Sequence, residues 1–210
     1  MAKIKICGLT RREDLVLAAE MGADFAGFVF VPDSARYIRP EDAARELNPE
    51  GMPESLERVG VFVNEQPARI REVFRLCRLN IVQLHGEESP DYCRSLGLPY
   101  WKALRPETAS GLDPAAAYPG AVILLDGRAP GVRGGAGVRV SQDILSAASK
   151  LGRRIIIAGG ISEENLAEIL AYRPYGLDLS SSLEDRPGIK NPARMRRFFG
   201  LLKGNNHEPS

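Results

Sequence analysis

Cysteine and histidine are scarce in this sequence, which narrows the kinds of site that it can build. The 210 residues include three cysteines, at positions 7, 77 and 93, and two histidines, at positions 85 and 207. No two cysteines form a CxxC pair, and an odd number of thiols does not predict a disulfide framework. These absences argue against a structural zinc site and favour a reducing compartment such as the cytoplasm. We expect no bound metal.

An excess of charge and long hydrophobic runs are also absent. The 28 basic and 27 acidic side chains leave a net charge of +1, which does not predict nucleic acid or an anionic membrane as a partner. No apolar run is long enough to span a bilayer, and no segment resembles a secretory signal. With 44% hydrophobic residues, the composition predicts a soluble globular protein.

Short apolar runs, by contrast, recur along the whole chain. Each is followed by a segment with helical spacing or with residues that start helices, so predicted strands alternate with predicted helices. Such alternation predicts a parallel sheet covered by helices. The eight runs occupy residues 3–7, 25–30, 58–63, 80–84, 100–104, 121–126, 154–160 and 175–180.

Eight strand–helix units are the number that closes a (β/α)₈ barrel. The alternative is an open, doubly wound sheet, but no G-x-G-x-x-G motif follows the first run. Because the sequence shows no linker, we predict one α/β domain, a single (β/α)₈ TIM barrel over residues 1–203. The polar residues 204–210 are predicted to form a frayed tail.

Three helix starts are predicted from specific residues. Thr10 and Glu13 have the spacing of a capping box, in which each side chain binds the backbone N–H of the other residue. Ser89 precedes Pro90, the arrangement of an N-cap residue before a proline in the first turn. Ser162 is predicted to begin the helix after the seventh strand.

The first and last strands carry charged residues whose alternation indicates which way they point. Side chains alternate between the two faces of a strand, so Lys5 and Cys7 share the face toward the barrel interior. Asp178 has the same parity on the eighth strand, which neighbours the first in a closed barrel. Because an unpaired buried ammonium is costly, we predict a Lys5–Asp178 ion pair. Lys5 is also expected to favour the thiolate of Cys7.

Cys7 and Asp126 end the first and sixth predicted strands, at the barrel end where active sites of this fold lie. Facing each other across the barrel mouth, a thiol and a carboxyl can act as an acid–base pair. Each residue also has a simpler interpretation. Cys7 can be a small buried hydrophobic residue, and Asp126, which precedes a glycine, can form a turn.

The exits of the seventh and eighth strands have the features of a phosphate site. Gly159 and Gly160 allow the backbone to approach a ligand closely, and Ser181 with Ser182 can open a short helix. Barrels of this kind frequently bind phosphate at these two loops. The pattern therefore predicts a phosphorylated small molecule as the ligand.

Other positions near strand exits are candidates for the same site. Arg36 can hold a carboxylate or be an ordinary surface arginine. Gly135 and Gly137 lie in a glycine-rich loop that can close over a ligand or be a flexible connection. His85 either orients a partner through a hydrogen bond or is a core histidine with its bonds satisfied, and we favour the core histidine.

Eight motifs occur in order along the chain, and together they carry a resemblance to a known family. They are KICGLT at 5–10, GFVFVPDSARYI at 27–38, GVFVN at 60–64, VQLHGEE at 82–88, LLDG at 124–127, GGAG at 134–137, IAGGISEENL at 157–166 and DLSSSLEDRPGIKN at 178–191. These motifs resemble phosphoribosylanthranilate isomerase. The resemblance implies a cofactor-free and metal-free barrel of tryptophan biosynthesis, which converts N-(5-phosphoribosyl)anthranilate to 1-(2-carboxyphenylamino)-1-deoxyribulose 5-phosphate by an Amadori rearrangement.

The resemblance also implies roles for individual residues. Asp126 would be the general acid that protonates the ribose ring oxygen, Cys7 the general base that removes the C2 proton, and Arg36 the partner of the anthranilate carboxylate. The oligomeric state stays open between monomer and homodimer. The remaining expected site residues are Gly159, Gly160, Ser181 and Ser182 at the phosphate, Gly135 and Gly137 in a loop over the substrate, and Lys5, Asp178 and His85 as structural support.

Two other functions are compatible with parts of the sequence. The histidine-pathway isomerase performs the same rearrangement on a ProFAR-type substrate, but resembles a duplicated half-barrel with an Asp at the first strand exit, where this chain has Cys7. The second such function is that of a barrel that binds a phosphorylated ligand without catalysis. It stays open because the chain departs from the family pattern in its loops. The departures include Ala136, Ser182 and Asn191, where the family usually has Thr, Gly and Asp.

Overall fold

Eight parallel strands close into a barrel in the computed structural model, which describes residues 2–46, 53, 55–127 and 139–204. The strands follow one another in chain order, and the eighth pairs with the first. The (β/α)₈ prediction is confirmed, and the open sheet is excluded. The strands are β1 (Lys3–Cys7), β2 (Phe25–Val29), β3 (Glu57–Phe62), β4 (Ile81–Leu84), β5 (Tyr100–Leu104), β6 (Val122–Asp126), β7 (Ile155–Ala158) and β8 (Gly176–Leu179).

Helices connect the strands along the outside of the barrel. A 3₁₀ helix, Ala109–Ala117, stands between β5 and β6, because Pro114 lies within it and leaves no room for a longer α-helix. The α-helices are α1 (Arg12–Met21), α2 (Pro40–Glu46), α3 (Pro67–Leu76), α4 (Pro90–Ser95), α5 (Gln142–Ser149), α6 (Leu166–Ala171) and α7 (Pro192–Gly204).

Strand parity divides the core into layers. Ile4 and Ile6 pack outward among the helices, in the large cluster between the sheet and the helix ring. The barrel interior is a separate apolar cluster, in which the rings of Phe25 and Trp101 meet edge to face with centroids 4.8 Å apart. Above this cluster, toward the strand C-termini, the interior becomes polar and contains the fully buried Lys5. Lys5 and Asp178 thus lie in the part of the barrel interior that is nearer the C-terminal ends of the strands.

One of the three predicted helix starts is confirmed. Ser89 caps α4, and its side chain accepts a hydrogen bond from the backbone N–H of Tyr92 at 3.2 Å. The capping box is wrong, because Arg11 precedes α1 and no side chain caps this helix start. Thr10 donates its hydroxyl to the carbonyl of Gly188, 178 residues away. The start at Ser162 is also wrong. Residue Asn165 precedes α6, and its side-chain oxygen accepts the N–H of Ser162 in the turn before the helix.

A short antiparallel hairpin after β8 is absent from the sequence prediction. It consists of β9 (Glu184–Arg186) and β10 (Ile189–Lys190). Helix α7 then extends to Gly204, one residue beyond the predicted end of the barrel domain. Residues 205–210 of the predicted tail lie outside the described residues.

Candidate active site

The C-terminal ends of the strands surround a cavity of about 920 Å³. This volume is within the usual range for sites that bind small molecules. Residue Lys5 is buried beneath the cavity floor rather than on its wall, while Gly135 and Gly137 lie outside the described residues. The other expected site residues all line the cavity: Cys7, Arg36, His85, Asp126, Gly159, Gly160, Asp178, Ser181 and Ser182.

Cys7 ends β1 with its thiol on the cavity wall. Its Sγ is 3.1 Å from Nζ of Lys5, which donates a hydrogen bond to it. The neighbouring residue on β2 is Gly27, and a Cβ there would lie 2.8 Å from Lys5 Cε and 2.9 Å from Sγ. Only glycine leaves room at this position for both side chains, so Gly27 is part of the site although it bears no functional group.

The Lys5–Asp178 ion pair is present as predicted. Nζ of Lys5 lies 2.9 Å from Oδ2 of Asp178, and the two residues are directly paired between β1 and β8. Burial lowers the pKa of Lys5, but the attraction of Asp178 and Cys7 outweighs it, so the pKa of Lys5 lies above its ordinary value. Lys5 is therefore an ammonium at neutral pH.

Lys5 favours the thiolate of Cys7, as expected, but two other influences on the pKa of the thiol outweigh it. Burial raises the pKa of the Cys7 thiol, and the nearby carboxylate of Asp178 raises it further. Lys5 acts in the opposite direction but does not cancel these effects. Proximity to one ammonium was too simple a criterion, because it left out the burial of the thiol and the carboxylate that the same ion pair brings close to it.

Asp126 ends β6, and its carboxylate is almost fully buried in the cavity wall. Oδ2 lies 3.2 Å from Nε2 of His85 and 3.9 Å from Nε of Arg105. The turn interpretation does not describe Asp126, because the residue belongs to the strand and its side chain is oriented into the site. Cys7 and Asp126 thus line the same cavity from two different strands.

His85 is not the core histidine that we favoured. Its imidazole lines the cavity, and its two ring nitrogens contact Gln83 and Asp126 at 2.9 and 3.2 Å. It therefore matches the alternative, a residue that orients its partner through a hydrogen bond. Parity along β4 indicates that Gln83 faces inward, but His85 follows the end of the strand, where parity no longer determines direction.

Arg36 is not an ordinary surface arginine, because it is held against the cavity by Glu184. Its Nε lies 3.0 Å from Glu184 Oε1, and its Nη2 lies 2.7 Å from Oε2. Its other terminal nitrogen, Nη1, makes no hydrogen bond to a described residue. Lys190 also binds Glu184, with Nζ 2.8 Å from Oε1, so one buried carboxylate is shared by two cations.

The two loops of the expected phosphate site meet at the cavity. Gly159 and Gly160 both have left-handed backbone angles, with φ of 78° and 59°, and a short 3₁₀ helix, Ser181–Leu183, follows β8 as predicted. The backbone of Ser182 does not have a positive φ. A side chain at this position in place of the usual glycine therefore requires no backbone strain.

Sequence reasoning missed several residues of the site. Arg105 lines the cavity directly after β5, and the rule of examining strand exits would have found it. Its Nε is buried and has no hydrogen-bond partner among the described residues. Glu184 and Lys190 belong to the unpredicted hairpin, and no local pattern indicates that Glu184 binds Arg36 or that Lys190 binds Glu184.

The described residues include neither a group suited to hold a metal ion nor a helix suited to cross a membrane. No group of three or more His, Cys, Asp or Glu side chains within residues 2–46, 53, 55–127 and 139–204 is arranged to hold a metal ion. Over the same ranges, no helix has the length and apolar character needed to cross a bilayer.

Comparison with known proteins gives consistent matches along the chain. Residues 4–200 match the family model for N-(5'-phosphoribosyl)anthranilate (PRA) isomerase. A relative of that name in Trichlorobacter lovleyi is 45% identical over 204 residues, which are 97% of this chain and 98% of the relative. The crystal structure of the Thermus thermophilus isomerase superposes with a TM-score of 0.86 at 39% identity, covering 96% of this chain and 98% of that one.

A further solved structure contains a bound ligand. It is a phosphoribosyl anthranilate isomerase in complex with reduced 1-(o-carboxyphenylamino)-1-deoxyribulose 5-phosphate. It superposes with a TM-score of 0.85 at 36% identity, over 97% of this chain and all of that one.

Proposed function

The chain belongs to the N-(5'-phosphoribosyl)anthranilate isomerase family, and we propose that it performs the family's reaction with Cys7 as general base and Asp126 as general acid. It is an isomerase of the intramolecular oxidoreductase type, in tryptophan biosynthesis. The observation that carries the residue assignment is that the thiol and the carboxyl line one cavity from β1 and β6.

In the first step Asp126 gives its proton to the ribose ring oxygen. The bond between C1 and this oxygen breaks with its electron pair going to the oxygen, and the nitrogen lone pair forms a C1=N iminium. The carboxylate that remains on Asp126 is stabilised by the imidazole of His85 at 3.2 Å and the guanidinium of Arg105 at 3.9 Å.

In the second step the thiolate of Cys7 removes the proton from C2. The electrons of the C2–H bond form a C1=C2 double bond and neutralise the iminium, which gives an enolamine. The enolamine then tautomerises to the ketose by protonation at C1 and loss of the hydroxyl proton on C2. Over one turnover Cys7 gains a proton and Asp126 loses one, so both must exchange protons with solvent before the next cycle.

The two ends of the substrate are proposed to bind at separate places on the cavity wall. Gly159 and Gly160, with Ser181 and Ser182, would bind the phosphate, and Arg36 would bind the anthranilate carboxylate. Support comes from their shared cavity and from Nη1 of Arg36, which makes no hydrogen bond to a described residue. Anchoring both ends positions C2 and the ring oxygen relative to the acid and the base.

The same assay tests the activity and the residue roles. The unstable substrate is generated in situ, and loss of its fluorescence is followed for the wild type, Cys7→Ser and Asp126→Asn. Each variant is expected to lose at least about 100-fold in kcat, within the usual contribution of a general acid or base. An inactive wild type would support the non-catalytic barrel, and full rates in both variants would contradict the assignment of base and acid.

A further inference from the structure

We propose that Gln83 is a positioning residue that keeps the proton of His85 on Nε2, so that the imidazole donates a hydrogen bond to Asp126. The inference rests on the proposed role of Asp126 as the acid and extends it to a residue outside the acid–base pair. Gln83 lies near the end of β4, is almost fully buried, and contacts both Lys5 and His85.

A continuous series of hydrogen bonds connects the base to the acid. Nζ of Lys5 lies 3.1 Å from Sγ of Cys7 and 2.8 Å from Oε1 of Gln83. The amide nitrogen of Gln83 lies 2.9 Å from Nδ1 of His85, and Nε2 of His85 lies 3.2 Å from Oδ2 of Asp126. Each distance is short enough for a hydrogen bond.

The direction of each bond follows from the chemistry of the groups. An ammonium can only donate, and the raised pKa of Lys5, where Asp178 and Cys7 outweigh burial, keeps it an ammonium. The oxygen of the Gln83 amide must therefore face Lys5, which turns the amide nitrogen toward His85. Because an amide nitrogen only donates, Nδ1 of His85 must accept, and the proton of the neutral imidazole lies on Nε2.

This tautomer is the one that helps Asp126 to act as an acid. An Nε2–H group stabilises the carboxylate that forms when Asp126 releases its proton. In the other tautomer, the lone pair of Nε2 would face the carboxylate and repel it. The orientation of one buried amide thus decides whether His85 stabilises or opposes the charge that develops on Asp126.

The tautomer is measured by ¹⁵N NMR of the imidazole, independently of activity. His85 and His207 are the two histidines of the chain, so His207→Asn leaves a single histidine signal. In spectra recorded at about pH 8.5, we expect a proton on Nε2 and none on Nδ1. A proton on Nδ1 in this protein would overturn the inference.

Gln83→Glu should reverse the direction of the hydrogen bond between residue 83 and His85 without changing the shape of the side chain. Lys5 keeps the new carboxylate ionised, so it presents acceptors to both neighbours, and Nδ1 of His85 is expected to become protonated. The inference fails if Nδ1 stays unprotonated in this variant. Circular dichroism and the melting temperature establish that the variant is folded.

The kinetics of Gln83→Met, a variant that adds no charge, test whether Gln83 influences Asp126 through His85. We expect kcat to fall about tenfold, or about 1.4 kcal/mol, with KM changed less than about twofold. If Gln83 acts through His85, Gln83→Met combined with His85→Asn is no slower than His85→Asn alone. If the loss of kcat in the double variant equals the product of the two single losses, Gln83 does not act through His85.

The outcomes separate this inference from the proposed function. Full activity of Asp126→Asn would refute the acid, while the NMR result for His85 would still hold. If Asp126→Asn is slow but Nδ1 of His85 stays unprotonated in Gln83→Glu, the role of Asp126 as the acid stands and the role of Gln83 is refuted.

Discussion

Glu184 holds Arg36 at the cavity wall, with 2.7 Å between Oε2 and Nη2. The same carboxylate accepts a hydrogen bond from Nζ of Lys190. Nζ of Lys190 also donates a hydrogen bond to the backbone carbonyl oxygen of Cys7, 2.5 Å away. The β9–β10 hairpin thereby connects the arginine proposed to bind the substrate carboxylate with the backbone of the proposed base.

Replacing Arg36 is expected to weaken substrate binding. Arg36→Ala should raise KM about 10- to 100-fold, because hydrogen bonds to a charged group contribute roughly 1.5–3 kcal/mol. Glu184→Gln should raise KM less, since the guanidinium remains but is held less firmly. Arg39→Ala is the matched control, because Arg39 is exposed and pairs with Asp42 outside the cavity. An unchanged KM in Arg36→Ala would exclude it as the carboxylate partner.

The rate should increase with pH as Cys7 ionises, as long as Asp126 keeps the proton that it must donate. Catalysis requires the thiolate of Cys7, and burial together with Asp178 raises the pKa of this thiol. Lys5 opposes that increase, so Lys5→Met should move the rise of kcat/KM to still higher pH. Profiles from about pH 6 to about pH 10 measure this shift.

Lys3→Met provides the control for the pH experiment. Lys3 lies on the same strand, but it is half-exposed and pairs with Asp24 at the other end of the barrel. Its profile should coincide with that of the wild type. A Lys5→Met profile that also coincides would show that Lys5 has no influence on the thiol.

Glu184 should make the protein sensitive to acid. Burial raises the pKa of Glu184, but the bonds from Arg36 and Lys190 lower it more, so its pKa in the folded state is below the ordinary value. Its contribution to stability is therefore complete above the unfolded pKa of about 4.3 and is lost as the pH falls through the folded pKa.

Denaturation at a series of pH values tests this contribution. In Glu184→Gln, the free energy of unfolding should be lower at neutral pH and should decline less between about pH 5 and about pH 3. Glu20→Gln, which replaces an exposed glutamate on α1, should retain the wild-type slope. An identical slope in Glu184→Gln would contradict the lowered pKa.

Asn191, one of the departures from the family pattern, should affect stability rather than catalysis. Its side-chain oxygen accepts the backbone N–H of Arg194 at 2.9 Å, so it caps the start of α7. Asn191→Ala should lower the free energy of unfolding by about 1 kcal/mol, and Asn191→Ser should restore most of it. Thermal denaturation measures both, and a large loss of kcat/KM in either variant would place Asn191 in the site instead.

Features that depend on local order along the chain could be predicted from the sequence. The eight apolar runs correspond to the eight strands, and alternation along β1 and β8 was sufficient to pair Lys5 with Asp178. Such predictions succeed because the direction of a strand side chain depends only on its position in the strand, and because β1 and β8 must be neighbours in a closed barrel.

Features that depend on contacts with distant parts of the chain could not be predicted from the sequence. Thr10 has the spacing of a local partner to Glu13, yet it does not cap α1, and its hydroxyl donates to the carbonyl of Gly188 in the hairpin after β8. The charge state of Cys7 depends on burial and Asp178 as well as on Lys5. In each case the local prediction was chemically reasonable, but it left out burial and contacts with the far end of the chain.

The sequence by itself therefore determined the barrel, the strand exits and most of the chemically active side chains that meet there. Only the tertiary structure decided how those side chains are connected. Gln83 meets Lys5 and Arg36 meets Glu184 across 78 and 148 residues, respectively. The physical reason is that a hydrogen bond needs its two atoms within about 3 Å, and periodicity along a strand does not specify distances between separate strands and loops at that scale.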